Sequence, residues 1–325
     1  MPYADNSGVR IHYEVDGAGP PLVLQHGFTQ CLKDWSECGY VAALRPVYRL
    51  ILVDARGHGG SDKPHDEASY TLDRRVADVT AVLDSVGVEK AHFWGYSMGG
   101  YIGFGMARYA PERVDALVIG GQHPFARDQS GFRALLRDAI TGGGDILVAA
   151  FEKMFGRISA GYAARLRAAD LEAYLAAAQD RVGMEDMLAA MAMPCCVYAG
   201  DADPTFAQAK SASERIAHAR LFRPAGAFAF AGVRCEPQRV AAGHGVPWRK
   251  PLGGGPIRRP SLQPAGRTFG RFAIPQLRYR PYAIAWPPRT ATGLLRAGAT
   301  TQRGTAWRRH SAVARMVAPA PRAIG

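Results

Sequence analysis

The fold is decided by ten residues, AHFWGYSMGG, at positions 91–100. Residues 91–94 are apolar enough for a buried strand, and residues 98–109 have the spacing of a helix. Between them, Gly95-Tyr96-Ser97-Met98-Gly99 fits the pattern G-x-S-x-G. Between a strand and a helix, this pattern forms a tight, strained bend that presents the serine hydroxyl at the helix N-terminus. We therefore predict that Ser97 is a nucleophile, with an accidental Gly/Ser turn as the alternative.

Strand and helix patterns alternate on both sides of this bend. Strands are predicted at residues 9–15, 21–25, 49–54, 91–94, 116–119, 195–199 and 220–222, and helices at 71–86, 98–109 and 206–217. This alternation predicts an α/β protein with a doubly wound, mostly parallel sheet. The segment at about 122–192 is rich in Ala and Leu and too long for a simple crossover. We predict that it forms a helical cap over the strand ends.

The composition is that of an ordinary globular protein. The chain has 325 residues, of which 48% are hydrophobic and 21% charged. We expect a cytoplasmic location and no membrane span, because no apolar run approaches ~18 residues and no leader pattern opens the sequence. The five cysteines (Cys31, Cys38, Cys195, Cys196 and Cys235) lack C-x-x-C spacing. We therefore expect reduced thiols, no metal and no cofactor.

The net charge of +12 is unevenly distributed. Residues 1–222 carry 22 Lys and Arg against 27 Asp and Glu, a net charge of −5; residues 223–325 carry 18 against one, a net charge of +17. Thirteen of the 22 prolines also lie in the second part. We predict a domain at 1–222 and a disordered Arg/Pro/Gly/Ala-rich tail at 223–325. One hypothesis is that the tail is an off-frame reading of a GC-rich gene.

Three segments together resemble the α/β-hydrolase family over about residues 8–222. They are His26-Gly27-Phe28, the D-x-R-G-x-G-x-S loop at residues 54–61, and the G-x-S-x-G bend. The resemblance implies that the amides of Phe28 and Met98 form an oxyanion hole beside Ser97. We expect His26, and the Asp54, Arg56 and His58 side chains of the loop, to hold these segments in place.

The resemblance also implies an acid and a base later in the chain. The acid is expected at Asp203, with Asp201 as the fallback and a simple Asp-Pro turn as the alternative. No histidine follows the strand at 220–222 directly, so the C-terminal end of the fold is missing or replaced. His244 is the candidate base, although it comes about twenty residues late. His218 precedes the strand and is expected at the surface, and His310 is more distant still.

The expected function is that of a serine hydrolase. It would act on a small ester, lactone or related carbonyl substrate through an acyl-enzyme, and would be inactive if no histidine completes the triad. Perhydrolases use the same triad, whereas epoxide hydrolases and dehalogenases are disfavoured because those relatives have Asp where this chain has Ser97. The alternative is a catalytically dead scaffold whose basic tail binds polyanions, although no nucleic-acid-binding motif supports it. No sequence feature specifies an oligomeric state.

Overall fold

The computed structural model describes residues 2–200 and 202–223. The strands of its sheet are β1 (Tyr3–Asn6), β2 (Val9–Asp16), β3 (Pro21–Gln25), β4 (Arg49–Val53), β5 (Ala91–Tyr96), β6 (Val114–Gly120), β7 (Cys195–Tyr198) and β8 (Ala219–Phe222). The α-helices are α1 (Lys33–Glu37), α2 (Tyr40–Leu44), α3 (Leu72–Ser85), α4 (Met98–Tyr109), α5 (Ser130–Gly142), α6 (Asp145–Phe155), α7 (Ala160–Arg167), α8 (Leu171–Ala177) and α9 (Phe206–Arg215). Short 3₁₀ helices lie at Glu67–Tyr70, Pro111–Arg113 and Glu185–Ala190.

The eight strands form one mostly parallel sheet, as predicted. Their order is β1-β2-β4-β3-β5-β6-β7-β8. The pairs β1·β2 and β2·β4 are antiparallel, and every other neighbouring pair is parallel. Because β3, β5, β6 and β7 run in the same direction, their carboxyl ends meet at one edge of the sheet. In open α/β sheets this edge is where ligands bind.

Helices cover both faces of the sheet, which explains the continuous apolar runs of the central strands. On one face, Val79 of α3, Phe104 of α4 and Ala209 of α9 belong to one buried core. On the other face, α1 and α2 pack on a second core. Cys195 faces the first core and Cys196 the second, as expected for neighbours in a strand.

The predicted elements are confirmed, with small changes in their bounds. The bounds of β3 and α4 agree at both ends, whereas β5 and β6 are longer than predicted and α9 ends two residues earlier. The additional elements are β1, α1 and α2, which have four or five residues each. Segments of that length do not establish a clear hydrophobic period, so the sequence pattern missed them.

The long insert folds as the predicted helical cap. Helices α5 to α8 lie between β6 and β7 and build two small apolar cores of their own. Side chains define the starts of two of these helices: Ser159 accepts a hydrogen bond from Tyr162 N–H before α7, and Asp170 accepts one from Ala173 N–H before α8.

Several predictions lie outside the described residues. These are the disorder of the tail, the off-frame hypothesis, the candidates Asp201, His244 and His310, and the state of Cys235. No helix within the described residues is both long and apolar enough to cross a membrane.

Candidate active site

Ser97 occupies a strained bend at the carboxyl edge of the sheet. Its φ of 49° and ψ of −111° lie in a sparsely populated region of backbone space. Three hydrogen bonds hold this backbone: Ser97 N–H donates to Gly120 O over 2.8 Å, and Ser97 O accepts from Tyr101 N–H and from Gln122 Nε2, both over 3.0 Å. The Ser97 hydroxyl makes no hydrogen bond to any described residue. Its position leaves it available for an incoming group.

Two glycines allow the bend because backbone approaches them too closely for a side chain. A Cβ on Gly95 would lie 2.1 Å from Gly99 O, and a Cβ on Gly99 would lie 2.1 Å from Gln25 O. The first contact lets the strand turn sharply into α4. The second lets the start of α4 pack against the end of β3. The G-x-S-x-G spacing therefore has a direct steric cause here.

The segment His26-Gly27-Phe28 leaves the end of β3 next to this bend. A Cβ on Gly27 would lie 3.4 Å from the Cβ of Ser97, so the two segments are in van der Waals contact. Gly27 N–H donates to Gln30 Oε1 over 2.8 Å. The amide N–H of Phe28 and that of Met98, the first residue of α4, donate to no acceptor among the described residues. Two unpaired amide donors beside Ser97 are what an oxyanion hole requires.

His26 fixes this segment rather than serving as a base, as expected. Its Nε2 accepts a hydrogen bond from Ala55 N–H over 3.0 Å, so Nδ1 carries the proton and donates to Gly27 O over 2.7 Å. Both ring nitrogens are therefore occupied. The side chain ties the end of β3 to the loop after β4.

The loop at residues 54–61 is held by buried polar contacts, which confirms the role expected for it. Asp54 accepts hydrogen bonds from Leu32 N–H over 2.7 Å and Gly60 N–H over 2.8 Å, and its Oδ2 lies 2.7 Å from His12 Nδ1. Arg56 donates to both oxygens of Asp78 over 2.7 and 2.5 Å. These contacts position the loop. The polar groups that make them already have partners and are not free to bind a substrate.

His58 of this loop is fully buried beneath the candidate site. Its ring packs edge-on against Phe28, with centroids 4.9 Å apart, and stacks on Tyr174 of the cap at 4.8 Å. Burial holds the His58 pKa well below its ordinary value, with a further lowering from His26. The ring is therefore neutral at pH 7. It supports Phe28 from below.

The cap contacts the same segment from above. Phe28 packs edge-on against Phe132 of α5, with ring centroids 5.3 Å apart, and its ring is tilted against that of Tyr174 of α8, with centroids 5.2 Å apart. Thr29, which has a positive φ of 64°, places its hydroxyl 2.6 Å from the Tyr162 hydroxyl of α7. The position of the Phe28 amide thus depends on cap helices as well as on the sheet.

Asp203 lies in the turn between β7 and α9, at the same edge of the sheet as Ser97. Its Oδ1 accepts hydrogen bonds from the N–H and the hydroxyl of Thr205, over 2.8 and 2.6 Å. These are the contacts of an Asp-Pro turn, the alternative considered for this residue. Its Oδ2 has no hydrogen-bond partner among the described residues. Burial raises the pKa of Tyr96, which precedes Ser97, and the charge of Asp203 adds to this rise.

Neither predicted histidine base can be placed, because His244 and His310 lie outside the described residues. His218 is exposed and precedes β8, so it lies at the amino edge of the sheet, away from Ser97. This confirms its expected surface position. Within residues 2–200 and 202–223, no histidine hydrogen-bonds to the Ser97 hydroxyl.

The sequence reasoning missed Gln122 and His123 beside the bend. Gln122 Nε2 donates to Ser97 O, and Gln122 Oε1 accepts from His123 N–H over 2.9 Å. The His123 ring is buried, and its Nδ1 has no partner in the described part of the chain. Burial lowers the His123 pKa to about 4, with smaller effects from Arg181 and Arg127. The sequence feature that could have indicated Gln122 and His123 is their position shortly after the strand predicted at residues 116–119, at the edge of the sheet that carries Ser97.

Comparison with known proteins shows which fold this architecture has. Residues 20–140 match the family model described as alpha/beta hydrolase fold. This chain is an α/β-hydrolase-fold protein. The enol-lactonase of Burkholderia xenovorans LB400 is 26% identical with a TM-score of 0.61, over 69% of this chain and 91% of that one. The esterase RhEst1 of Rhodococcus sp. ECU1013 is 26% identical with a TM-score of 0.64, over 74% and 94%.

Among curated relatives, epoxide hydrolase 2 of Siraitia grosvenorii is 31% identical over 138 residues, which cover 41% of this chain and 43% of that protein. The matched part spans less than half the length of the curated relatives. The match to the family model covers residues 20–140, which include the bend at Ser97, whereas the two structural neighbours match 69% and 74% of this chain. No cluster of three or more His, Cys, Asp or Glu suited to a metal ion occurs within the described residues.

Proposed function

We propose that this protein is a serine hydrolase that cleaves a small ester, lactone or related carbonyl compound through an acyl-enzyme. The observation that carries the proposal is the Ser97 bend. A strained serine with an unpaired hydroxyl stands at the start of α4, next to two amides that make no other recorded hydrogen bond. A structure maintains such strain only where the surrounding packing enforces it, and it concentrates at functional sites.

The proposed reaction begins with attack of Ser97 Oγ on the substrate carbonyl carbon. Negative charge then develops on the carbonyl oxygen, and the N–H groups of Phe28 and Met98 stabilise it by ~3 kcal/mol each. A histidine takes the hydroxyl proton and returns it to the leaving group, and Asp203 orients that histidine. Water then attacks the acyl-enzyme, with the same histidine as the base. For this role we propose His244.

The comparisons support acyl transfer on a carbonyl group. The names of two structural neighbours describe an enol-lactonase and an esterase. A relative in sequence is an epoxide hydrolase, but a serine at the nucleophile position favours a carbonyl carbon as the site of attack. We also propose a cytoplasmic location.

Labelling with a fluorophosphonate probe tests the proposal, because such probes react with activated serines. We expect the full-length protein to be labelled at Ser97 and Ser97→Ala to remain unlabelled. Ser7→Ala is the matched control, since Ser7 also has a positive φ, of 56°, but lies on an exposed turn. Labelling that persists in Ser97→Ala, or an unlabelled but folded wild type, would contradict the proposal.

Two further variants test the rest of the triad in the same assay. Replacing the orienting carboxylate of a serine-histidine pair with an amide typically costs about 10⁴-fold in rate, so Asp203→Asn should slow labelling by orders of magnitude. His244→Gln should have an effect at least as large. If His244→Gln is labelled at the wild-type rate, His244 is not the base.

A further inference from the structure

Two arginines without a carboxylate hydrogen bond, Arg75 and Arg181, contact side chains of the first turn of α4. Arg75, Arg127 and Arg181 form no salt bridge with any residue in the described ranges. Arg75 is buried, and it directs its donors to Tyr70 O, Ala177 O and the Met98 sulfur. Positive charge therefore accumulates close to the candidate oxyanion donor at Met98. Asp78, whose oxygens accept hydrogen bonds from Arg56, offsets part of the charge of Arg75.

Arg181 is the arginine that retains a free donor. Its guanidinium carbon lies 5.1 Å from the centroid of the Tyr101 ring. Its Nη1 is buried and has no hydrogen-bond partner within residues 2–200 and 202–223. Burial lowers the Arg181 pKa to about 9, and Arg127 contributes to this lowering, so the group is still charged at pH 7. A buried guanidinium nitrogen with an unmade hydrogen bond is costly unless something else satisfies it.

Tyr101 links Arg181 to the nucleophile bend. Its N–H donates to Ser97 O, and its hydroxyl donates to Val182 O over 3.0 Å, which fixes the ring next to the segment that carries Arg181. Side chains on a helix lean towards the helix N-terminus. We therefore expect the Tyr101 side chain to lean towards the turn that begins at Ser97, with the Arg181 guanidinium over its ring.

His123 supplies a second unpartnered polar atom in the same place. Its backbone is joined to Ser97 O through the Gln122 side chain, and its buried Nδ1 has no partner in the described chain. The segment that follows His123 pairs with the segment that carries Arg181: Arg181 N–H donates to Arg127 O over 2.9 Å, and Met184 N–H donates to Pro124 O over 2.8 Å. Glu185 opposes the lowering of the His123 pKa but forms no ion pair with Arg181. Arg181 Nη1 and His123 Nδ1, which both lack a hydrogen-bond partner among the described residues, therefore lie on one side of the bend.

We propose that this side of the site binds a carboxylate group of the substrate, with Arg181 as the binding residue and His123 as a second donor. The inference rests on the proposed function for the reaction, but binding itself does not require catalysis. A guanidinium presents a planar fork that matches a carboxylate.

Titration calorimetry on the full-length protein tests this specificity. Glutarate is the probe, and its neutral analogue glutaramide is the matched ligand. We expect glutarate to bind at least about tenfold more tightly, since a hydrogen bond to a charged group is involved. Equal binding of the two, or equally tight binding of inorganic phosphate, would overturn the carboxylate assignment.

Variants locate the binding residue. Arg181→Met should weaken glutarate binding by about tenfold or more, because it removes a charge-assisted hydrogen bond. Arg137→Met, at an exposed arginine of α5 that forms no salt bridge, should leave binding unchanged. Unchanged binding by a folded Arg181→Met would refute the inference. If that variant does not fold, Arg181→Lys keeps the charge and loses the fork, and it must still weaken binding. Glutarate must also shift the His123 ring signals in NMR spectra of the wild type.

The labelling assay separates this inference from the proposed function. Glutarate should slow fluorophosphonate labelling of Ser97 in the wild type but not in Arg181→Met. If Ser97 is never labelled but glutarate still binds through Arg181, the hydrolase proposal fails and the carboxylate site stands. If Ser97 is labelled and glutarate neither binds nor protects it, the carboxylate site fails and the hydrolase proposal stands.

Discussion

The substitution Gly99→Ala tests the geometry of the bend. Inside a helix, alanine usually replaces glycine with a gain of about 1 kcal/mol. At this position the new Cβ would lie 2.1 Å from Gln25 O, 2.7 Å from Gln25 C and 2.8 Å from His26 O. All three are backbone atoms, so no side chain can move aside. Because real Cβ contacts are essentially never shorter than 3.0 Å, the end of β3 and the start of α4 must separate by about 1 Å.

This separation acts on the two proposed oxyanion donors at once. Gln25 and His26 lead directly to Phe28, and Gly99 follows Met98, so moving the two segments apart widens the gap between those amides. A misplacement of about 1 Å costs on the order of 100-fold in rate. Overpacking of this kind also destabilises a fold by about 1–3 kcal/mol. We therefore expect Gly99→Ala to fold with lower stability and to lose about 100-fold in Ser97 labelling.

The labelling rate and the urea unfolding midpoint, measured on the same samples, provide the readout. The control is Gly131→Ala in α5, where a Cβ meets nothing within 4 Å. That variant should keep the wild-type labelling rate and gain up to about 1 kcal/mol of stability. Wild-type labelling and an unchanged midpoint for Gly99→Ala would refute the steric reasoning.

Two predictions concern buried charge. Asp78→Asn leaves the buried Arg56 guanidinium without its counterion and should cost about 3 kcal/mol in urea unfolding, whereas Asp84→Asn, which breaks an exposed pair with Arg113, should cost under about 1 kcal/mol. The His123 pKa is lowered from 6.5 to about 4 by burial, so its contribution to stability is complete above pH 6.5 and is lost as the pH falls towards 4. His123→Phe should therefore lose about 3 kcal/mol less than the wild type between pH 6.5 and pH 4. His218→Phe, at an exposed position, should follow the wild type, and identical pH profiles for all three proteins would contradict the assignment.

The sequence predicts the sheet well because its central strands are buried on both faces. The runs at β3 and β4 contain almost only apolar residues, so their bounds follow from composition alone. The bounds of α3 likewise follow from the amphipathic spacing of its apolar residues. In contrast, β1 places polar and exposed residues at a sheet edge, and its pairing depends on β2 rather than on its own pattern. Local patterns cannot reveal an element that a neighbour specifies.

The same distinction applies to the candidate site. Ser97 is predictable because the glycines that permit its bend lie two positions before and two after it in the chain. Arg181 is not predictable from the sequence, because it reaches Tyr101 only when the last part of the cap folds back along α4. Its sequence neighbours give no sign of that contact. Residues whose role depends on tertiary contact require the structure.

Several departures from ordinary protein geometry lie at one edge of the sheet. Positive φ at Ser97 and Thr29, unpaired amides at Phe28 and Met98, and the unpartnered Arg181 all lie there. An accidental Gly/Ser turn would explain the first of these but not the others, since each has a separate cost and a separate structural cause. A site that binds developing negative charge relieves the amides and the arginine together. We therefore expect this edge to bind an anion that forms or arrives during the reaction, with the proposed base His244 acting on Ser97.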